Sequence, residues 1–377
     1  MHAKIYILIV LLLITMTSAF ASDPNFYIYL CFGQSNMEGQ GPIEQQDRTV
    51  DSRFQVFQAV DCSNLGRLKA SWYTAVPPLC RCWNGLSPAD YFGRLMVASL
   101  PDSIRIGVIN VSVGGCRLEL FDKDIYQDYD STYTETWFLD IIEDYNGNPY
   151  QYLVDLATLA QQDGVIKGIL LHQGESNTGD SQWPSKVRKI YDDLIDDLDL
   201  DPDLIPLLAG EVVHADQGGI CASMNSIIAQ LPQALENSYV ISSSGCTDRG
   251  DDIHFSSGGY REFGKRYAIQ MLELMGYEPA STEDFVQVAD AYILDQNYPN
   301  PFNPETSIRY YLPEKCKVTL EVLDITGHTV KTLVNNVESM GEYTITFDGL
   351  DLSSGIYFYR LKTLTGFVQS KKMLLLK

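Results

Sequence analysis

Four short segments carry residue types suited to acyl transfer. Phe32-Gly33-Gln34-Ser35-Asn36-Met37-Glu38-Gly39 sets a hydroxyl just after the apolar run Phe26 to Cys31, and Asp251-Asp252-Ile253-His254 sets a carboxylate three positions before an imidazole. A serine hydroxyl attacks a carbonyl only when a base takes its proton, and the base needs a third group that fixes its tautomer. Of the five histidines, His2 falls in the leader and His328 in the C-terminal region, leaving His172, His214 and His254. His254 is the expected base: in a turn, Asp251 can fold back onto Nδ1 while Nε2 projects toward a hydroxyl. Each residue also has a plain structural reading, Ser35 as a helix N-cap and Asp251 as a cap of the following helix.

An acyl-transfer site also needs donors aimed at the developing oxyanion. The Ser35 N–H, an N–H from Gly114 or Gly115, and the Gln173 side-chain amide of His172-Gln173-Gly174-Glu175 are the candidates. Which glycine faces inward is open. Glu175 is a second carboxylate that could orient His254, although the D-x-x-H spacing favours Asp251.

These segments need a scaffold that brings them together. Short apolar runs at 26–32, 104–111, 165–171, 205–209 and 239–243 read as strands, and periodic stretches at 89–99, 150–161, 184–198, 223–235 and 257–275 read as helices. The last puts Tyr260, Phe263, Tyr267, Met271 and Leu274 on one stripe. Such alternation predicts an α/β fold with three layers, a parallel five-stranded sheet covered on both faces, with a site at the carboxyl ends of the strands. All four polar segments follow a predicted strand.

The 377 residues, 45% hydrophobic, suit two domains. With 49 acidic against 27 basic residues and a formal charge of −22, a nucleic-acid partner is not expected. Lys4, the apolar stretch Ile5 to Met16 and Ala19-Phe20-Ala21 read as a signal peptide over residues 1–21 with cleavage near Ser22. No span is expected in the mature chain. The eight cysteines then lie where disulfides persist. Cys221 and Cys246, flanking one helix-strand unit, are the expected bridge; Cys80 and Cys82 are too close to pair with each other. Without a paired C-x-x-C arrangement, structural zinc is not expected.

Near residue 280 the composition changes. The stretch 297–313 is rich in proline and asparagine, and alternating runs at 318–323, 343–347 and 356–361 follow. The expected division is a main domain over 22–276, a linker over 277–296 and an all-β sandwich over 297–377.

Together, Gly33-Gln34-Ser35-Asn36-Met37, Gly114-Gly115-Cys116, His172-Gln173-Gly174-Glu175-Ser176 and Asp251-x-x-His254 resemble the four blocks of SGNH-fold carbohydrate esterases. More narrowly they resemble the acetylxylan esterases of carbohydrate esterase family 6 and the related sialate O-acetylesterases, over roughly residues 25–276. Pro77-Pro78-Leu79-Cys80-Arg81-Cys82 and Leu86-Ser87-Pro88-Ala89-Asp90-Tyr91-Phe92 tilt the likeness toward the former. The resemblance implies a cofactor-independent serine esterase acting on an acetylated polysaccharide or oligosaccharide, with Gln173 in the oxyanion role that asparagine usually fills. The C-terminal region is similar to type IX secretion sorting domains through Tyr298-Pro299-Asn300-Pro301-Phe302-Asn303-Pro304, Leu323-Asp324-Ile325-Thr326-Gly327, Ser354-Gly355-Ile356-Tyr357 and the terminal Lys372 to Lys377. That likeness implies secretion machinery as a partner and a secreted or cell-surface location.

Two rivals stand beside this reading. One is an inactive carbohydrate-binding protein, against which the presence of Ser35, His254 and Asp251 counts. The other is a metal-dependent hydrolase built on His172, Glu175, Asp251 and His254. An arginine such as Arg117 or Arg249 could grip a sialic carboxylate or serve as a surface ion pair. Trp83, Trp137 and Trp183 fall in expected loops, where each stacks on sugar or packs in a core.

Overall fold

A computed structural model describes residues 22–130, 135–280, 292–312, 315–339, 341–364 and 366–377. The expected signal peptide, residues 1–21, and residues 281–291 of the expected linker lie outside the described residues. No described helix is long and apolar enough to cross a membrane.

The first part of the chain builds one sheet from β1 (Phe26–Gly33), β2 (Phe54–Phe57), β3 (Trp72–Thr74), β4 (Arg105–Ser112), β5 (Val165–His172), β6 (Leu207–Gly210) and β7 (Ser238–Ile241). Its order is β3-β2-β4-β1-β5-β6-β7. Every pairing is parallel except that of the edge strand β3 with β2. The sheet therefore has seven strands rather than the expected five. β2 and β3, four and three residues long, are too short to show a period.

Helices α1 (Ser35–Glu38), α2 (Pro88–Ser99), α3 (Tyr126–Asp130), α4 (Thr136–Asp144), α5 (Pro149–Ala160), α6 (Trp183–Asp197), α7 (Asn225–Ile228), α8 (Leu231–Ala234) and α9 (Ser257–Met275) fill the connections. The helix expected over 223–235 is broken into α7 and α8. Pro232 explains the break: it has no N–H to continue a helix and sits in the first turn of α8. Trp183, expected in a loop, is the first residue of α6.

Alternation along β1 sends Ile28, Leu30 and Phe32 into a core shared with α5 and α6, and Tyr29 and Cys31 into a second core shared with α2 and α9. This makes three layers, helix on sheet on helix. On α9, Tyr260, Phe263, Tyr267 and Met271 are buried as the stripe requires, but Leu274 is 39% exposed; Ala268 and Leu272 complete the apolar face instead.

The cysteine expectation is corrected. Cys62 pairs with Cys82, and Cys221 and Cys246 are free. Cys221 packs against the α5/α6 core and Cys246 belongs to the α2/α9 core, so the sheet stands between them.

Residues 292–377 form an all-β unit of two sheets, β11-β10-β13-β14 and β12-β9-β8. The strands are β8 (Ile293–Leu294), β9 (Glu305–Leu312), β10 (Cys316–Leu323), β11 (Thr329–Glu338), β12 (Gly341–Asp348), β13 (Gly355–Thr363) and β14 (Val368–Leu375). Leu294, Ile308, Val318, Leu320, Phe347 and Tyr359 pack between them.

A buried carboxyl on α2 gives the fold a pH signature. Asp90 closes a capping box with Ser87, whose N–H donates to its Oδ2 at 2.8 Å. Burial raises Asp90 from the usual 3.8 to about 7, against the lowering effects of the Ser87 N–H and the Arg94 guanidinium. The folded chain thus binds this proton more tightly than the unfolded chain, so the linked stability is full below about pH 4 and is lost as pH rises to about 7. Melting temperatures of wild type and Asp90→Asn across that window test this: the variant should gain on wild type as pH rises, and a constant offset contradicts it.

Candidate active site

Ser35, Gly114 and Gln173 reach one end of the sheet because β1, β4 and β5 run parallel and end together, and His254 joins them from the loop after β7, which runs the same way. β1 pairs with β4 on one side and β5 on the other, so its carboxyl end lies where the chain departs in opposite directions, the usual place for a ligand site in an open α/β sheet. The turn out of β1 requires glycine: Gly33 has φ 147°, and a Cβ there would stand 2.0 Å from the His172 carbonyl oxygen.

Ser35 is the first residue of α1, and Gln34 holds the N-cap position. Ser35 is therefore not the cap. Its Oγ lies 2.9 Å from His254 Nε2, and His254 Nδ1 lies 2.8 Å from Asp251 Oδ2. An ionised carboxylate only accepts, which puts the ring proton on Nδ1 and leaves Nε2 to accept from the serine hydroxyl. Asp251 also takes the backbone N–H groups of His254 at 2.8 Å and Ile253 at 3.1 Å, and Arg249 Nε at 2.6 Å. Burial pushes its carboxyl up, but these hydrogen bonds outweigh it and hold Asp251 well below the ordinary carboxylate range. The fold-back from Asp251 to His254 passes through Asp252 at φ 62°, a conformation aspartate tolerates better than most residues.

Glu175 does not reach the imidazole. Its Oε1 accepts from Asn36 Nδ2 and lies 3.7 Å from His172 Nδ1. Asn36 is the residue whose role the sequence reading missed. Its Nδ2 also donates to the Ile253 carbonyl at 3.0 Å, and its Oδ1 accepts from the Tyr260 hydroxyl and the Phe255 N–H. One amide thus joins the serine turn, the loop after β5, the histidine loop and α9.

Gln173 departs from expectation as well. It is fully buried, and Trp183 Nε1 donates to its Oε1. This fixes the orientation of the amide, whose Nε2 donates to Gln34 Oε1, Cys116 O and Asn177 Oδ1. Gln173 braces the site in this arrangement, with its donors already engaged. The other expected donors remain. The Ser35 N–H stands at a helix start, where no intrahelical acceptor exists. Gly114 lies against the serine: a Cβ built on it would be 3.8 Å from Ser35 Cβ and 2.8 Å from Glu38 Oε2. Gly115, at φ 76°, faces the ring of Trp137.

Of the charged residues near Ser35, Glu38 and three arginines are paired, whereas Glu175 keeps one buried carboxylate oxygen without a hydrogen-bond partner among the described residues. Glu38, buried, accepts from Arg81 Nη2. Arg117 pairs with Glu119 at 3.3 Å, and Arg249 pairs with Asp251 and donates to the Gln40 carbonyl at 3.0 Å. His172, Glu175, Asp251 and His254 do not converge as a ligand set among the described residues. The acidic group that does converge, Asp122, Asp124 and Asp193, has the Lys189 ammonium within 2.7–3.0 Å of each carboxylate.

A mostly parallel sheet covered by helices on both faces, with the polar segments gathered at the carboxyl ends of its strands, is the α/β class expected from the sequence. Residues 25–273 match the family described as carbohydrate esterase, sialic acid-specific acetylesterase, and the chain belongs to that family. Residues 296–376 match the secretion system C-terminal sorting domain, which marks a secreted or cell-surface protein. Among solved structures, a protein from Arabidopsis thaliana is 19% identical over 67% of this chain and 99% of its own, with TM-score 0.51. NanS is 17% identical over 67% and 98%, with TM-score 0.50. A carbohydrate acetylesterase from Xanthomonas citri is 12% identical over 91% and 80%, with TM-score 0.49. At these identities the likeness is one of fold.

The Glu38–Arg81 pair yields a stability prediction. Arg81→Met leaves a buried carboxylate uncompensated beside Gly114, which should cost on the order of 3 kcal/mol. Adding Glu38→Gln should recover most of the loss. Urea midpoints of the two single variants and the double variant check this; additive losses contradict it.

Proposed function

We propose that this esterase is a serine enzyme that removes O-acetyl groups from a neutral carbohydrate, with acetylated xylan as the substrate. The observation that carries the mechanism is the line Ser35 Oγ to His254 Nε2 to His254 Nδ1 to Asp251, with contacts of 2.9 and 2.8 Å. Ser35 Oγ attacks the acetyl carbonyl as His254 Nε2 takes its proton. In this proposal the Ser35 and Gly114 N–H groups receive the oxyanion, and Gly115 belongs to the loop that presents them. Collapse expels the sugar hydroxyl, which takes the proton from His254. Water, deprotonated by His254, then attacks the acetyl-enzyme, and acetate leaves as Ser35 regains its proton. Asp251 stabilises the imidazolium, and Glu175 acts through Asn36 as a positioning residue. The proposed steps draw on side chains, backbone N–H groups and water, and invoke no cofactor.

The preference for a neutral sugar rests on charge. Arg81, Arg117 and Arg249 each already hold a carboxylate, and the chain carries a net −22. A sialic carboxylate would meet no spare guanidinium among these three. The second reading, sialate O-deacetylation, is favoured by the description of the matched family. Acetate release from acetylated xylan against O-acetyl sialic acid decides between them, and preference for the latter overturns the xylan assignment.

Ser35→Ala and His254→Ala should each lower kcat by several orders of magnitude, with little further loss in the double variant, because nucleophile and base act as a unit. Asp251→Asn should cost on the order of 10⁴ in kcat, and Glu175→Gln far less, measured on one activated acetyl ester. The reverse ranking would make Glu175 the orienting carboxylate.

A further inference from the structure

A groove of about 310 Å³ is walled by residues 39–43, which directly follow α1, and by residues 83–85. We propose that it is a sugar-binding subsite, with Trp83 as its stacking platform, occupied by an unreacted neutral sugar residue of the same polysaccharide chain. The proposal rests on the carbohydrate-esterase reading above and adds where the polymer lies.

Trp83 is 85% exposed, whereas Trp183 is fully buried in the core. An indole left in water costs free energy that core packing would recover. Trp83 is not on a loose loop. Cys82 beside it is bonded to Cys62, and Arg81 is paired with Glu38. The Arg81 N–H donates to Asn84 Oδ1 at 2.9 Å. The two walls are joined by the Gly85 N–H to the Gly39 carbonyl at 2.8 Å and the Leu86 N–H to the Gly41 carbonyl at 2.7 Å. With the backbone held this firmly, only the two side-chain torsions of Trp83 are left to be fixed when a ligand covers the ring.

The groove wall is tied to the acyl-transfer residues through the backbone. The Gly39 N–H closes α1 by donating to the Ser35 carbonyl, and the Gln40 carbonyl accepts from Arg249, which also holds Asp251. At about 1.5 Å per helical residue, Gly39 lies roughly 6 Å along the helix from Ser35. None of the lining residues is charged, in a chain where 20% of residues are. A pyranose suits such a wall: its C–H face covers the indole while its hydroxyls meet carbonyls, the Asn84 amide and water.

The test compares Trp83→Ala and Trp83→Phe with wild type on acetylated xylo-oligosaccharides and on 4-nitrophenyl acetate. Trp83→Ala should raise KM for the oligosaccharide about tenfold, equivalent to about 1.4 kcal/mol, with kcat within about twofold of wild type. Trp83→Phe should recover most of that loss because it keeps a ring. Binding of unacetylated xylo-oligosaccharide, measured by calorimetry, should weaken in parallel. An unchanged oligosaccharide KM, or losses equal on oligosaccharide and small ester, overturns the subsite. A wild type that turns over neither ester overturns the esterase reading itself.

Discussion

The amide of Asn36 is the constraint on which the site depends. Ser35 leaves β1 on a four-residue helix, while His254 arrives on a loop more than two hundred residues later. Nothing in the sheet alone sets their separation. Asn36 does so by donating to Glu175 and to the Ile253 carbonyl, and by accepting from Tyr260 on α9. A buried amide with all these groups satisfied is rigid, because breaking any bond strands a polar atom in a poorly solvated place. The short contact between Ser35 and His254 therefore reflects a network centred one residue away.

Around that centre the arginines are arranged in closed pairs. Arg249 serves Asp251 and the Gln40 carbonyl together, linking the histidine loop to the chain just past the serine. Arg81 answers Glu38 beneath Gly114. These contacts hold loops that would otherwise be joined only through the ends of strands, and they leave the space in front of Ser35 without an unmatched cation.

Local chemistry made much of this legible in the sequence. Glycines and polar residues directly after apolar runs pointed to strand ends, and a carboxylate three positions before a histidine pointed to its folded-back turn. Lost were features with no local signal. β2 and β3 are too short to show alternation, and the Cys62–Cys82 bridge joins segments whose proximity only the tertiary fold creates. Gln173 misled for a related reason. Its position after β5 suits a donor, but Trp183, ten residues on, turns the amide inward, and no spacing rule announces that contact. Asn36 and Arg81 were visible as motif letters without a role, since their partners come from distant loops.

The cysteines carry a consequence for life outside the cell. Disulfide exchange needs a thiolate as attacking species. Burial pushes Cys80 and Cys246 up to about 12 and holds Cys31 and Cys116 well above the ordinary thiol range. In the folded chain these four sulfurs hold less thiolate than ordinary thiols and are poorer attackers on the cystine they accompany. The burial that fills the two cores thus lowers the thiolate share of four of the six free cysteines, Cys221 and Cys316 standing apart, and so reduces the routes by which the Cys62–Cys82 bond is exchanged.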